Sequence, residues 1–348
     1  MSTLEPARAE DERRVHRDRP LPRVGFLGLG WIGRERMRAL RDSGAAEIVA
    51  LADPDQDACD AAQLEVPGAR ALTEPAQLAV DALDGLVIAT PSALHAEQAE
   101  AALREGTAVF CEKPLGRDAA EVRAVLAAAR AADRLLAVDL SYRHTRAAQA
   151  LREVVRGGEL GELQLAELQF HNAYGPDKPW FARRTLAGGG CLIDLGTHLL
   201  DLLLWITGSE RVEVQTAALR RSGQPLAAGT DEVEDLAVAQ LSTPGGTIVR
   251  LACSWFLPAG CDCVLECTLY GTTGAVSLRN VGGSFYDFVA ERHVGTRREL
   301  LVGPPDEWGG GAIVSWARRL GRDRCFDRSA QEILPVAETL DRIYEAAG

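Results

Sequence analysis

A glycine-rich hexapeptide, GLGWIG at residues 28–33, limits the folds open to this 348-residue chain more than any other feature. It follows the apolar run Arg23–Leu27 and opens a helical pattern over 31–43. In this setting the first glycine permits a tight turn, the second lets the backbone approach a pyrophosphate, and the third lets the helix pack closely on the strand. The motif predicts dinucleotide-binding contacts from Gly28, Gly30, Trp31, Ile32 and Gly33.

Short apolar runs alternate with alanine-rich helical patterns from Pro22 to Ser141, which predicts a parallel sheet covered by helices on both faces. We therefore interpret residues 23–142 as a doubly wound, Rossmann-type domain. The predicted strands are Arg23–Leu27, Ile48–Asp53, Leu86–Thr90, Ala108–Glu112 and Leu135–Leu140, and the predicted helices are 31–43, 56–64, 94–105 and 117–132.

The second half of the chain has a different pattern. A strand is predicted at 162–173 and at least five more between Val212 and Leu301, which indicates a large, mostly antiparallel open sheet. The fold class is therefore α/β, with residues 143–348 as a substrate-binding and oligomerisation domain whose last helix packs back toward the first domain. Residues 1–22 are predicted to form a disordered tail. The helices of this half are predicted near 145–156, 191–206 and 329–346.

Charge and hydropathy exclude several classes of partner. The chain has 50 acidic and 38 basic residues and a net charge of -12, which works against binding to nucleic acid phosphates. Apolar stretches such as Leu199–Ile206 are interrupted by Asp201 and fall short of the roughly 20 residues of a membrane span. Arg13 and Arg14 resemble part of an export signal, but no apolar segment follows them, so a cytoplasmic location is expected.

The eight cysteines are too sparse for a disulfide scaffold and are expected to be reduced thiols. Cys261, Cys263 and Cys267 invite a zinc interpretation, but no CxxC or HxxxH pattern completes such a site. Positions 261, 263, 265 and 267 alternate onto one face of a strand, so small residues on a buried face are the preferred interpretation. No metal site is predicted.

Asp53 ends the second predicted strand, 20 residues beyond Gly33. A carboxylate there would accept hydrogen bonds from both hydroxyls of an adenosine ribose. Pro54 and Asp55 follow it, without an arginine to neutralise a 2′-phosphate, and Asp53 would repel that phosphate. The sequence therefore predicts NAD as the cofactor in preference to NADP.

The chain contains only two lysines, Lys113 and Lys178, against 36 arginines. Lys113 stands between Glu112 and Pro114, and a proline cannot continue the strand ladder, so the chain is expected to leave the sheet here. Lys113 is predicted to project at the carboxyl edge of the sheet and to contact the cofactor beside its nicotinamide. Glu112, its expected tether or charge partner, is also predicted to contact the cofactor. An exposed lysine without a function is the alternative.

The segment TPSALH at 90–95 ends the predicted strand Leu86–Thr90 and begins a helix. Thr90, Pro91 and His95 are predicted to contact the cofactor, because ligands bind such sheets beyond the carboxyl ends of the strands. Pro91 and Ser92 also suit a turn and an N-cap. A His95 that is hydrogen-bonded within the first helical turn is equally compatible with the sequence.

A glycine run at 188–190 leads into the apolar helix of the second half. Asp194 and His198 are four residues apart and share one helical face, with Asp201 one turn further on. Polar groups on such a helix are expected to line a cleft rather than face an apolar core unpaired. A structural His–Asp pair is the alternative, and a zinc site would need a third ligand that we cannot name.

Four motifs in this order resemble those of the glucose-fructose oxidoreductase and inositol dehydrogenase family (Gfo/Idh/MocA): GLGWIG with Asp53, TPSALH, EKP at 112–114 and GGGCLIDLGTH at 188–198. The resemblance extends from about Arg23 to the end of the chain. It implies a Rossmann domain followed by an α/β domain whose large open sheet joins subunits, here into a homodimer or homotetramer. It also implies a catalytic lysine, aspartate and histidine, which correspond to Lys113, Asp194 and His198.

The development of charge in the reaction suggests a role for each of these three residues. When a hydride leaves a secondary carbinol for the nicotinamide, the hydroxyl must lose a proton, a task that suits the neutral imidazole of His198. Lys113 would stabilise the growing alkoxide, and Asp194 would orient His198 or Lys113. The expected activity is NAD-dependent oxidation of a ring hydroxyl of a sugar, amino sugar or cyclitol.

Aromatic and hydrogen-bonding side chains are predicted to select the substrate, because they fit a sugar or cyclitol ring. An ordinary surface loop anchored by Trp180 and Phe181 is the alternative. The predicted substrate contacts are Tyr142, Arg143, Asn172, Tyr174, Trp180 and Arg183, together with Asp194 and His198.

Three other activities stay open at this point. The chain could reduce a keto-sugar, including a nucleotide-activated one, or could be an NAD-assisted glycosidase. It could also be a non-catalytic NAD-sensing regulator, but such a protein could dispense with Lys113, Asp194 and His198, and their joint presence argues against it. The arginine- and alanine-rich composition resembles that of high-GC actinobacteria, which associates the activity with natural-product biosynthesis.

Overall fold

The computed structural model describes residues 20–78, 82–227, 229–306 and 308–348. Two sheets, of six and nine strands, organise these residues. The predicted tail at 1–22, with Arg13 and Arg14, lies almost entirely outside the described residues.

The first sheet is built from the strands β1 (Arg23–Leu27), β2 (Glu47–Ala52), β3 (Arg70–Leu72), β4 (Gly85–Ile88), β5 (Ala108–Cys111) and β6 (Leu136–Val138). All neighbouring strands are parallel, in the order β3-β2-β1-β4-β5-β6. This confirms the predicted doubly wound sheet, whose strand order reverses between β1 and β4. The edge strand β3 was not predicted, because three residues are too few to show a period.

Four helices connect these strands: α1 (Trp31–Ser43), α2 (Gln56–Glu65), α3 (Ser92–Arg104) and α4 (Ala119–Ala132). Each predicted strand or helix of this domain ends within two residues of the observed one. Local capping explains some of the differences. The Asp118 side chain accepts a hydrogen bond from the Glu121 amide and fixes the start of α4.

The second sheet confirms the predicted large, mostly antiparallel architecture. Its strands are β7 (Leu163–Asn172), β8 (Glu213–Arg221), β9 (Gln224–Pro225), β10 (Leu236–Ser242), β11 (Ile248–Ser254), β12 (Cys263–Gly271), β13 (Ala275–Asn280), β14 (Phe288–Val294) and β15 (Arg297–Val302). Their order is β15-β14-β13-β12-β7-β11-β10-β8-β9. Within it, β7 and β11 are parallel, and every other neighbouring pair is antiparallel.

The helices of the second half are α5 (Arg146–Arg156), α6 (Arg184–Ala187), α7 (Thr197–Thr207), α8 (Gly311–Leu320) and α9 (Ile333–Ala346). A π-helical segment, Leu192–Gly196, runs directly into α7. Helix α8 was not predicted, and it returns to the first sheet: Ile313 and Trp316 join the core that contains Phe26 and Phe110. The domain boundary at residue 142 stays a prediction.

One stretch, Arg184–Thr207, is long and apolar enough to cross a membrane by length and composition alone, which the interrupted apolar runs did not predict. However, 89% of its apolar window is buried inside the protein. Burial of this extent is typical of the central helix of a hydrophobic core. The stretch places Asp194 and His198 on the side of the second sheet that faces Lys113, the residue that follows strand β5 of the first sheet.

Candidate active site

The glycine motif at 28–33 connects β1 to α1 through a turn with little room for side chains. Gly28 has φ +94°, and a Cβ built on it would lie 2.5 Å from the Ala89 carbonyl. A Cβ on Gly33 would lie 2.2 Å from the Gly28 carbonyl oxygen. A Cβ on Gly30 would meet nothing within 4 Å, so open space lies over this part of the backbone. No side chain caps α1, so its first amides remain available to an anion such as a pyrophosphate.

Asp53 follows β2 directly and ties it to the glycine motif. Its Oδ2 accepts a hydrogen bond from the Leu29 amide at 2.7 Å, and its Oδ1 accepts one from the Asp55 amide at 2.9 Å. A carboxylate has further lone pairs for ribose hydroxyls, so the residues present fit a dinucleotide. In the first turn of α1, Trp31 is 62% exposed and Ile32 is half-buried.

His95 lies in the interior, at 2% exposure, rather than at the open edge of the sheet. Its Nε2 is 2.6 Å from the Thr90 carbonyl oxygen and its Nδ1 is 2.7 Å from the Pro114 carbonyl oxygen. Burial lowers the pKa of His95, and both carbonyl contacts act in the opposite direction. His95 thus links the end of β4 to the proline that follows Lys113. Pro91, at the start of α3, is exposed.

Lys113 follows β5 and pairs with Asp194 across the two halves of the molecule. The Lys113 Nζ donates to Asp194 Oδ1 at 2.6 Å and to the Asp194 carbonyl oxygen at 2.9 Å. The other carboxylate oxygen, Oδ2, accepts from Trp255 Nε1 at 3.1 Å. Both side chains of the ion pair stay about one-fifth exposed, so the pair is accessible to a small molecule.

Glu112, which was predicted to contact the cofactor, directs its carboxylate into the interior. It accepts a hydrogen bond from Arg36 Nε at 3.0 Å, and Arg36 also pairs with Asp139. Burial and the neighbouring Glu112 raise the pKa of Asp139 well above its ordinary range. Arg36 lies over the ring of Trp308, at 4.9 Å, so this cluster connects α1 to the segment that follows β15.

His198 lies in the first turn of α7 and is 7% exposed. The Tyr142 ring meets it edge-on at 4.8 Å, and the Phe170 ring is 6.2 Å away. Among the described residues, neither ring nitrogen of His198 has a hydrogen-bond partner, so Asp194 orients Lys113 and not His198. Burial, followed by the charges of Lys113 and Arg36, lowers the pKa of His198 well below its ordinary value. A neutral imidazole with free nitrogens can accept a proton.

The structure brings Lys113, Asp194, His198 and Tyr142 together, but it gives other partners to two of the predicted substrate residues. The Arg143 guanidinium binds Asp201 through three hydrogen bonds of 2.5, 2.9 and 3.1 Å, and it also pairs with Glu332. Because it is 13% exposed and doubly paired, it is not free for a ligand. Arg183 pairs with Asp231 at 2.9 Å on the surface.

The remaining predicted substrate residues lie around this centre. Trp180 stacks on Phe181 at 3.7 Å, and Phe181 contacts Trp255 edge-on at 6.4 Å, so an aromatic series leads to Asp194. Asn172 ends β7 with a buried Oδ1 that has no hydrogen-bond partner among the described residues. Tyr174 is 51% exposed.

Glu234 is a supporting residue that the sequence did not reveal. It is fully buried, and its Oε1 accepts hydrogen bonds from the amides of Gly190 and Leu192 at 3.0 and 2.9 Å, and from the Tyr344 hydroxyl at 2.9 Å. These bonds fix the beginning of the segment that carries Asp194. Trp255 was also missed; its only signal was a tryptophan at the end of a strand in a chain with 5% aromatic residues.

The prediction that the cysteine cluster lies on a buried strand face holds for Cys263 and Cys267 but not for Cys261. Cys263 and Cys267 are buried on the same face of β12 as Leu265, while Cys261 precedes the strand and is partly exposed. Within the described residues, no group of three or more His, Cys, Asp or Glu side chains is placed to hold a metal ion.

Comparison with known proteins gave matches over most of the chain. Residues 22–140 match the description "Oxidoreductase family, NAD-binding Rossmann fold", and residues 148–277 match the GFO/IDH/MocA C-terminal domain. The protein named "Putative UDP-kanosamine synthase oxidoreductase subunit" of Amycolatopsis mediterranei strain S699 is 34% identical over 353 aligned positions, which cover 94% of this chain and 96% of that one.

Two further matches extend this result. Inositol 2-dehydrogenase of Rhizobium meliloti strain 1021 is 29% identical over 74% of this chain and 76% of its own length. The crystal structure of GenD2 from gentamicin A biosynthesis, in complex with NAD, superposes with a TM-score of 0.77 at 26% identity and covers 94% of both chains.

Proposed function

Because this chain belongs to the Gfo/Idh/MocA family of oxidoreductases, we propose that it oxidises a secondary ring hydroxyl of a sugar, amino sugar or cyclitol with NAD. The observation that carries the proposal is the Lys113–Asp194 pair beside a buried His198 whose nitrogens are free. The names of the relatives support the substrate class, since one refers to a UDP-linked amino sugar and another to inositol.

The residues that would hold the cofactor are the glycine motif at 28–33 and Asp53. The uncapped amides of α1 suit the pyrophosphate, and Asp53 suits an unphosphorylated adenosine ribose, so NAD is favoured over NADP. Pro54 and Asp55 provide no positive charge for a 2′-phosphate. When bound, the nicotinamide would supply the acceptor for the substrate's hydride.

His198 takes the hydroxyl proton in this mechanism. Its lowered pKa keeps the imidazole neutral at neutral pH, so one of its nitrogens can accept a proton as negative charge develops on the substrate oxygen. Its edge-on packing against Tyr142 limits the orientations open to the ring and shields that side of it from water.

Lys113 stabilises the developing alkoxide. An ammonium has three N–H donors, and two of them are directed at Asp194, at 2.6 and 2.9 Å. The third is available to the substrate oxygen. Asp194, itself held by Trp255, holds the Lys113 ammonium in place, so the positive charge is preorganised before the reaction begins.

The chain is also proposed to act as a cytoplasmic homodimer or homotetramer joined through the nine-stranded sheet. Val238 on β10 and Ile248 on β11 are each 47% exposed on the same open face of neighbouring strands. Exposed aliphatic residues on a sheet face are typical of a surface that a second subunit covers.

The proposed activity is tested by mixing the purified protein with NAD and, separately, NADP, and following the absorbance of reduced nicotinamide. The substrates would be cyclitols, hexoses, nucleotide sugars and aminoglycoside fragments. Reduction of NAD by one substrate group is the expected result. NADH consumption with keto-sugars, without oxidation of any alcohol, would contradict the proposed direction, and NAD binding without turnover either way would contradict the activity.

A further inference from the structure

Three exposed aromatic side chains lie on loops at the entrance to the candidate active site. Tyr174 and Tyr286 are each 51% exposed, and Phe256 is 61% exposed. Aromatic residues make up only 5% of the chain, so their concentration here is unusual. Exposed aromatic groups that cluster beside a site typically bind a ligand.

These residues continue directly from the reacting centre. The ring of Tyr142, which contacts His198 at 4.8 Å, is 6.0 Å from Trp308, and Trp308 is 5.6 Å from Tyr286. Phe285 follows at 6.3 Å from Tyr286. Tyr286 is thus three ring contacts away from His198, a separation that suits the second ring of a two-ring substrate.

The other side of the entrance is formed by Tyr174 and Phe256. Tyr174 lies 6.2 Å from Phe285, and the Phe256 ring covers Gly175, whose built Cβ would be 2.4 Å from it. Phe256 has φ +64°, a left-handed conformation that a phenylalanine adopts at a cost. Strain of this kind is characteristic of residues that are held in place for a function. Phe256 also directly follows Trp255, the hydrogen-bond donor to Asp194.

The charge at this entrance is negative. Asp262 is exposed and has no ion-pair partner among the described residues, and its backbone carbonyl accepts a hydrogen bond from the Ala173 amide at 2.9 Å. Burial and the Asp262 carboxylate both raise the pKa of Tyr174, so this carboxylate is close enough to act on the phenol. The neighbouring Lys178 is within 3.8 Å of Asp177. Aromatic faces beside an unpaired carboxylate suit an ammonium group and disfavour a phosphate.

We propose that this aromatic rim, formed by Tyr174, Phe256, Asp262, Phe285 and Tyr286, binds a second substrate ring that carries an ammonium group. The inference rests on the proposed function, because the ring at His198 is the one that is oxidised. Phe285, Tyr286 and Trp308 lie beyond residues 148–277, the part of the chain that matches the GFO/IDH/MocA C-terminal domain.

Calorimetric titration of the full chain, loaded with NAD, tests the rim without requiring turnover. The probes are neamine, a two-ring amine, its fully N-acetylated derivative, and 2-deoxystreptamine, a single-ring amine. We expect neamine to bind roughly tenfold more tightly than either of the others, since it alone offers a charged second ring to the aromatic faces. Tyr286→Leu and Asp262→Asn should each remove most of this difference.

Two matched variants separate the causes. Tyr286→Phe keeps the ring and should retain the preference for neamine, and Asp60→Asn removes a carboxylate from the exposed face of α2 and should change nothing.

Equal affinities for the three probes, or a preference that survives both Tyr286→Leu and Asp262→Asn, would overturn the proposal. So would a change in the particle mass measured by light scattering for these variants, which would identify the rim as a subunit contact. If the rim proposal is wrong, NAD reduction by single-ring substrates should still be observed. If the proposed function is wrong, that reduction should be absent, while the titrations still measure binding to the rim.

Discussion

The proposed cofactor site, at the glycine motif and Asp53, and the proposed reacting centre, at Lys113 and Asp194, are each stabilised by a different kind of contact. At the first, Asp53 binds the amide of Leu29, only 24 residues away, and glycines pack on nearby backbone. At the second, Lys113 binds Asp194 across 81 residues, and Trp255 reaches Asp194 across 61. A short motif encodes the first region, whereas the second exists only when the two sheets are assembled. Substitutions should therefore separate cofactor binding from turnover.

The largest difference between the effect on turnover and the effect on NAD binding is expected for Lys113→Ala. The variant removes the preorganised charge beside the substrate oxygen, so kcat should fall about 10³-fold. The glycine motif and Asp53 are untouched, so the NAD dissociation constant should stay within a few-fold. Steady-state kinetics and calorimetry on the same preparation measure the two effects.

Lys178, the other lysine of the chain, provides the matched control for this substitution. It is 64% exposed in its side chain and pairs with an exposed aspartate, so Lys178→Ala should leave both measurements unchanged. Turnover of Lys113→Ala close to that of the wild type would remove Lys113 from the mechanism.

A somewhat smaller loss is expected for His198→Gln. Removal of the proton acceptor should lower kcat/KM by roughly 10²-fold to 10³-fold, because general-base catalysis contributes that much. Gln retains a polar side chain of similar length against Tyr142, so the helix should remain folded. Circular dichroism and NAD titration provide the controls, and a loss confined to KM would indicate a binding role in place of a catalytic one.

The opposite result, weaker NAD binding with little change in kcat, is expected for Asp53→Asn. Loss of the charged acceptor for the ribose and for the Leu29 amide should weaken NAD binding about tenfold. NADP binding should weaken less or improve, because the repulsion of its 2′-phosphate is removed. At saturating NAD, kcat should stay near that of the wild type. A wild-type protein that already binds NADP as tightly as NAD would contradict this assignment.

The smallest effect on turnover is expected from the distant support at Glu234. Glu234→Leu leaves two buried amides and the Tyr344 hydroxyl without their acceptor and should lower the free energy of unfolding by about 2–4 kcal/mol. Glu234→Gln keeps an oxygen acceptor and should cost about 1 kcal/mol, with kcat changed only a few-fold. Urea denaturation measures both. Equal stabilities for the two variants would show that Glu234 does not fix this helix start.

The parts of the fold that follow from local pattern could be predicted. The motif at 28–33 and the apolar runs predicted five of the six strands of the first sheet to within two residues, and α1 was predicted at its observed ends. Lys113 was singled out because lysine is scarce, and Asp194 and His198 because polar groups are rare on that helix. Each of these signals lies within a few neighbouring residues.

The rest depends on contacts between distant segments, which carry no local signal. The π-helical segment at Leu192–Gly196 changes the spacing of Asp194 and His198 without any distinctive residue. Helix α8 begins at Gly311 and packs on the first sheet, whose last strand, β6, ends at Val138. The sequence of β15, which precedes α8, gives no sign of this return. The side-chain partners of Glu112 and Arg143 likewise come from elements far away in sequence, so their predicted roles could not be tested before the fold was known.

The central claim is that a buried, neutral His198 takes the substrate's proton, and the pH dependence of wild-type oxidation tests it most directly. Burial and the charges of Lys113 and Arg36 lower the pKa of this imidazole from its ordinary 6.5, so its base form persists as the pH falls through that value. With a neutral cyclitol as substrate, kcat/KM should stay constant through pH 6.5 and decline only well below it, and His198→Gln should lack this decline. A rate already half lost at pH 6.5, or the same acidic decline in His198→Gln, would contradict the account.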